Sequence, residues 1–203
     1  MFWDYSVLSK SKTVAGPAKQ KGGFGLVELM VSISIMVIVS AIILGRQASF
    51  NGSVLLRSQA YEIALHVREI QLNAVSASSD GVGGFRSVLG LHFDTGTLNN
   101  GVYHVFRDAD DDGYYDADEA FGLQGILDKR FEIREIRIMA AIPYTVPDLS
   151  VVFVRPNFDA RFFDSSGELL VPSVEIDVGR RGFSGTDSIR TVEITSTGQI
   201  AVQ

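Results

Sequence analysis

The chain has 203 residues with 18 basic and 24 acidic side chains and no cysteine. That length allows one membrane anchor and one modest globular domain, and the lack of cysteine excludes a disulfide framework, a thiolate metal site and a cysteine nucleophile. Charge is unevenly placed: residues 1–23 hold Lys10, Lys12, Lys19 and Lys21 against Asp4, so 14 of the 18 basic and 23 of the 24 acidic side chains lie beyond them. A remainder near −9 argues against nucleic-acid binding by bulk charge.

Residues 1–23 are polar and basic, broken by Gly16-Pro17 and Gly22-Gly23. They contain no apolar stretch long enough for a secretory core, so they do not form an ordinary signal peptide. Their lysines hold that end in the cytoplasm by the positive-inside rule. An apolar run of about 21 residues follows at 24–44, roughly 32 Å as a helix, which matches a hydrocarbon core of about 30 Å. The chain is expected to span once, with its C-terminal bulk outside. Glu28 is the one charge in that run. An ionisable group there costs roughly 2.5–3.5 kcal/mol, so it needs a partner or a purpose.

The helical pattern continues past the span. Leu56, Ala60, Ile63, Val67, Ile70 and Ala74 recur at alternating spacings of four and three, one apolar stripe down a helix, with Arg57, Glu62, Arg68, Glu69 and Gln71 off it. Gly45 and Gly52 weaken the junction. The reading is one helix over 24–78, its half at 24–44 in lipid and its amphipathic half at 45–78 packed on a domain, broken at 76–84. From 79 to 203 the texture is that of a β-rich head. Runs at 87–93, 102–107, 131–139, 149–155, 173–178 and 189–195 are rich in β-formers, and Asn99-Asn100-Gly101, Ser165-Ser166-Gly167 and Ser196-Thr197-Gly198 mark turns. Alternation at 189–194 predicts a half-buried antiparallel strand. The expected class is α+β, a long N-terminal helix with an antiparallel head on its outer half.

The segment Gly22-Gly23-Phe24-Gly25-Leu26-Val27-Glu28-Leu29-Met30 resembles the prepilin-peptidase site of type IV pilins and pseudopilins. In that superfamily a basic leader ends in Gly, Phe follows, and Glu stands five residues into the mature helix. Gly23, Phe24 and Glu28 match position for position, while Gly25 departs from the Thr that many members carry. The resemblance implies removal of residues 1–23, N-methylation of Phe24, and a Glu28 that neutralises the terminal amine of a neighbouring subunit. Two opposite charges in a low dielectric offset part of each other's desolvation. It implies a structural subunit, not an enzyme, in a type IV pilus or type II secretion pseudopilus. Its partners would be other pilin or pseudopilin subunits, prepilin peptidase and a membrane assembly platform. Its location would be the cytoplasmic membrane and then a filament in the periplasm or at the cell surface. The closing segment 190–198 and Asp164-Ser165-Ser166-Gly167 are similar to the GspH/FimT group of minor subunits.

Residues 108–119, DADDDGYYDADE, fit the calcium-loop pattern D-x-[DN]-x-[DN]-G-x5-E. Asp108, Asp110 and Asp112 would give the first carboxylates and Gly113 the sharp turn. Tyr114 would offer its carbonyl, Asp116 would bind directly or through water, and Glu119 would be bidentate. The flanks read as strand and glycine-containing loop, so an isolated structural Ca²⁺ loop is expected, not an EF-hand sensor. A merely solvated acidic turn is the alternative. His66, His92 and His104 lack metal spacing, no G-x-S-x-G elbow occurs, and Gly83-Gly84 lacks the Lys-Ser/Thr end of a phosphate loop. Arg180-Arg181 is the one basic spot in the head. Because some minor pilins bind DNA through arginines, those two residues define a second reading, a filament-tip subunit that captures DNA or a surface.

Overall fold

A computed structural model describes residues 23, 25–76, 88–153 and 157–203, with the side chains of 46–50 and Thr186 left aside. The chain divides into two compact units, Met1–Arg46 and Gln47–Gln203. Helix α1 runs from Leu26 to Val75. The expected ends at Phe24 and Ser78 lie outside the described residues, as do the leader at 1–22 and most of the break at 76–84. The backbone stays helical through Gly45 and Gly52. The Arg180 guanidinium lies against the backbone at Gly52.

In the second unit the periodic stripe does what its spacing predicts. Leu56, Ala60, Ile63 and Val67 are fully buried, and Ile70 and Ala74 nearly so. They join one core with residues of two antiparallel sheets. In chain order the strands are β1 (Val88–Asp94), β2 (Val102–Asp108), β3 (Gly125–Ile126), β4 (Phe131–Met139), β5 (Tyr144–Val146), β6 (Asp148–Phe153), β7 (Ala160–Asp164), β8 (Gly167–Leu169), β9 (Ser173–Arg180), β10 (Ile189–Thr195) and β11 (Ile200–Val202). The first sheet has the order β3-β2-β1-β6-β7-β8 and the second β11-β10-β9-β4-β5. The class is α+β, with a helix and antiparallel strands forming a pilin-like head.

Two details depart from simple alternation. A bulge between Ile133 and Glu135 of β4 places two residues, Arg134 and Glu135, between buried Ile133 and buried Ile136. The extra residue restores the apolar face after it and turns Arg134 over Gly179, where it donates to the Arg180 and Phe183 carbonyls. Gln71, off the apolar stripe, is nonetheless fully buried. Its amide donates to the Phe158 and Gly198 carbonyls at 2.7 and 2.9 Å and its Oε1 accepts from Arg68 at 2.6 Å. It supplies a donor to the buried Gly198 carbonyl and ties down the exposed loop at Phe158.

The two faces of the first sheet are both covered. Leu89, Leu91 and Phe93 of β1 point into the main core, while Gly90 and His92 share the other face with His104 and Phe106 of β2 and Ser150 and Val152 of β6. On that outer face Phe106, Val152 and Phe163 form a second small core, with Val88 and Tyr115 packed on it. The Phe106 ring occupies the space that a side chain at Gly90 would need. The segment that lays Tyr115 there is the acidic loop.

Candidate functional site

Two regions carry the chemistry that the sequence singles out. In the first, Gly23 and Gly25 are exposed, with open space where a side chain would project. Phe24 lies outside the described residues. Helix α1 begins at Leu26, so Glu28 sits in its first turn, where the unpaired amides of a helix start favour a carboxylate. Leu26–Gly45 is long and apolar enough to cross a membrane, and none of it is covered by the rest of its unit. Two of its hydroxyls are satisfied within the helix: Ser32 donates to the Glu28 carbonyl and Ser34 to that of Met30, both at 2.8 Å. The Glu28 carboxylate has no partner among the described residues.

The second region is an excursion from one strand. β2 ends at Asp108, the loop turns through Gly113, and a short 3-10 turn at Ala117–Glu119 leads back to Ala120, which bridges to Phe106 of the same strand. Phe121 donates its N–H to the Val105 carbonyl at 2.8 Å. A strand enters and a single 3-10 turn leaves, so the flanks are not those of an EF-hand. Glu119 ties the two ends, accepting the Ala109 N–H at 2.6 Å and the Asp116 N–H at 3.3 Å.

Within the loop, Asp108, Asp110 and Asp112 each place a carboxylate oxygen within 4.8 Å of the other two. Asp110 and Asp112 are exposed, whereas Asp108 is 7% exposed. Asp108 Oδ2 accepts the Gly113 N–H at 3.0 Å; its Oδ1 is buried with no hydrogen-bond partner among the described residues. Burial first, and the nearby Glu119 second, push the Asp108 carboxyl above the ordinary carboxylate range. Gly113 has φ +79° and packs against the Phe163 ring. The next two residues dock on the outer sheet face. Tyr114 donates to Asp148 at 3.0 Å, and burial with that acceptor pushes its phenol up to about 12. The Tyr115 N–H donates to Ser150 Oγ at 3.2 Å, and its ring stacks on His104 at 5.0 Å. His92 shares a hydrogen bond with Ser150 Oγ at 2.9 Å, and burial holds its imidazole down to about 4, hence neutral.

Residues 18–44 match the family model described as the prokaryotic N-terminal methylation motif. The chain carries a prepilin-type signal. This is the signal of type IV pilins and pseudopilins, and it implies processing by prepilin peptidase and assembly with other subunits of that kind. No curated protein and no solved structure gives a significant match. The match brackets Gly23, Phe24 and Glu28 together with nearly all of the exposed apolar helix, so the prepilin-type signal and the membrane-length segment are one feature.

The remaining candidate residues are used inside the head. Arg180 lies 4.0 Å over the Phe183 ring and fills the space at Gly52. Arg181 donates to the Phe131 carbonyl at 3.1 Å and to Asn100 Oδ1 at 2.7 Å, and pairs with Glu132 at 3.6 Å. His66 bonds the Tyr103 hydroxyl at 2.9 Å. What the sequence reading missed is the platform beneath the acidic loop: His92, His104, Asp148 and Ser150. The available signal was the pair of runs Val151-Val152-Phe153 and Phe162-Phe163, since consecutive apolar residues mean a strand covered on both faces.

Proposed function

We propose that the chain is a structural subunit, a pilin or pseudopilin, that is cut after Gly23, methylated on Phe24 and assembled into a type IV pilus or type II secretion pseudopilus. The observation that carries this reading is the methylation motif at 18–44 running directly into an uncovered apolar helix. The likeness of the closing strand and the 164–167 turn to the minor-subunit group favours a minor place in the filament. In the membrane the leader lysines face the cytoplasm and the head faces outward. In the filament the apolar helices pack together, and Glu28 meets the methylated amine of a neighbour. The DNA-capturing alternative rests on Arg180 and Arg181, whose guanidinium groups already serve Phe183, Asn100 and Phe131, so the structural role is the reading we favour.

The test is intact-mass spectrometry of the chain recovered from cells that express prepilin peptidase. The expected species begins at Phe24 and carries one N-methyl group. A membrane-inserted chain that keeps residues 1–23 overturns the proposal.

A further inference from the structure

We propose that the acidic loop at 108–119 binds one Ca²⁺ ion, and that the ion fastens the Tyr114-Tyr115 segment onto the outer face of the first sheet. An acidic turn alone would carry no such inference, because exposed carboxylates are comfortable in water. The deciding feature is Asp108. It is buried, its Oδ1 has no hydrogen-bond partner among the described residues, and its carboxylate belongs to the group it forms with Asp110 and Asp112. A charged oxygen shut away from water and left without a donor is costly; a cation in the group supplies the missing partner.

The donor set selects the ion. The three grouped carboxylates are hard oxygen ligands, which suit Ca²⁺ or Mg²⁺ and not a softer metal. Oxygens on one Ca²⁺ at about 2.4 Å lie no further apart than about twice that distance, and the three carboxylates fall inside 4.8 Å. Asp108, Asp110 and Asp112 form the core of the site. Asp116 and Glu119 stand outside that group in this structure, Glu119 accepting two loop N–H groups; with the Tyr114 carbonyl they would complete the shell on binding, in the order the loop provides. A shell of six or more oxygens drawn from one loop suits Ca²⁺, whereas Mg²⁺ demands a tight octahedron and keeps its waters.

The second half of the inference follows from what Tyr114 and Tyr115 touch. Tyr114 lies between the ligands Asp112 and Asp116, and its hydroxyl is anchored on Asp148. Tyr115 is held by Ser150 and His104 and packs on the Phe106–Val152–Phe163 cluster. Drawing the carboxylates together around an ion removes their mutual repulsion and holds this segment down. Without the ion, the repulsion works against the cover of that small core.

Terbium excited through tyrosine tests both halves on the full chain in detergent micelles, since Tyr114 and Tyr115 adjoin the site. Sensitised emission should saturate with one ion per chain and be displaced by Ca²⁺, and millimolar Ca²⁺ should raise the melting temperature over that in chelator. The exposed positions offer variants that do not threaten folding. Asp110→Asn and Asp112→Asn should each weaken binding by about 10-fold or more, because affinity follows the charge count of the ligands. Asp118→Asn should leave it unchanged. No sensitised emission, no Ca²⁺-dependent melting shift, or equal affinity in all three variants overturns the proposal. N-terminal processing is read separately by mass, so failure here and failure of the filament assignment are distinguishable.

Discussion

Gly113 is the position where the loop is least able to accept another residue, and Gly113→Ala measures how tightly the loop is seated. Two independent costs apply. The backbone sits at φ +79°, a left-handed conformation that costs a non-glycine residue about 1–2 kcal/mol. An alanine Cβ would also stand 2.5 and 2.6 Å from the Cε2 and Cε1 carbons of Phe163, and Phe163 is buried against Phe106 and Val152. Such overpacking costs about 1–3 kcal/mol. Partial relaxation leaves about 3 kcal/mol, which for a domain of this size lowers the melting temperature by about 6–12 °C. The assay is thermal unfolding of the full chain in detergent micelles, followed by near-UV circular dichroism in chelator, so that ion binding does not contribute. Phe163→Leu in the Gly113→Ala background should recover the packing share and leave the backbone share. A Gly113→Ala chain that melts within about 2 °C of the parent refutes the reasoning, because neither cost can then be present.

Three further perturbations probe separate parts of the chain. Gln71→Ala strands the buried Gly198 carbonyl and releases the Phe158 carbonyl of an exposed loop, and should cost about 1–3 kcal/mol for the one buried orphan; denaturant unfolding gives the number, and a loss under about 0.5 kcal/mol would mean that water replaces the amide. Arg137→Met removes the guanidinium that meets Asp177 at 2.5 Å and Glu175 at 2.6 Å, and leaves Asp177 nearly buried with Thr191 as its one remaining side-chain donor among the described residues. Because the Arg137 side chain is 30% exposed, the loss should be about 2–3 kcal/mol instead of the 3–5 of a fully buried pair, and Asp177→Asn should restore part of it. Glu28→Ala should still insert and be cut after Gly23 yet enter filaments poorly, read as the ratio of filament-borne to membrane-borne chain; normal incorporation would remove the reason for a carboxylate in the apolar run.

How much could be read beforehand depended on how local the deciding physics was. The stripe from Leu56 to Ala74 was legible because burial of a helix face imposes its own period on the sequence. β4 and β10 fall at 131–139 and 189–195 as expected, since each has enough residues to show alternation. β5, β8 and β11 have three residues apiece, too few to establish a period of two, and their pairing is decided by the strands beside them. The bulge in β4 does leave a trace, the spacing Ile133-Arg134-Glu135-Ile136, which breaks alternation within an otherwise regular strand. Gln71 left none. Its burial is set by the loops at Phe158 and Gly198, 87 and 127 residues away. The acidic loop shows the same divide: its spacing of carboxylates and the turn at Gly113 could be read along the chain, but the depth of Asp108 and the tyrosine platform required the sheet.

The helix itself poses the question that the function answers. From Leu56 to Ala74 the stripe Leu56, Ala60, Ile63, Val67, Ile70 and Ala74 is covered by the head's own sheets, while Leu65 and Leu72 on the opposite side stay exposed singly. From Leu26 to Leu44 the large apolar side chains are exposed, Leu26 at 75% and Met36 at 72% among them. Each such side chain left in water forgoes about 1.5–3 kcal/mol of burial, and more than a dozen stand together here. No folded chain tolerates that sum in solution, so this stretch must be covered by lipid or by copies of itself. A carboxylate in its first turn bears on the choice: lipid tails offer Glu28 no partner, whereas under the proposed filament role a neighbouring chain freed of its leader would offer an amine. On that proposal, a segment with apolar sides and one charge at its head that is unpaired among the described residues would suit both environments in turn, held by the bilayer first and drawn out of it by the ion pair that assembly would complete.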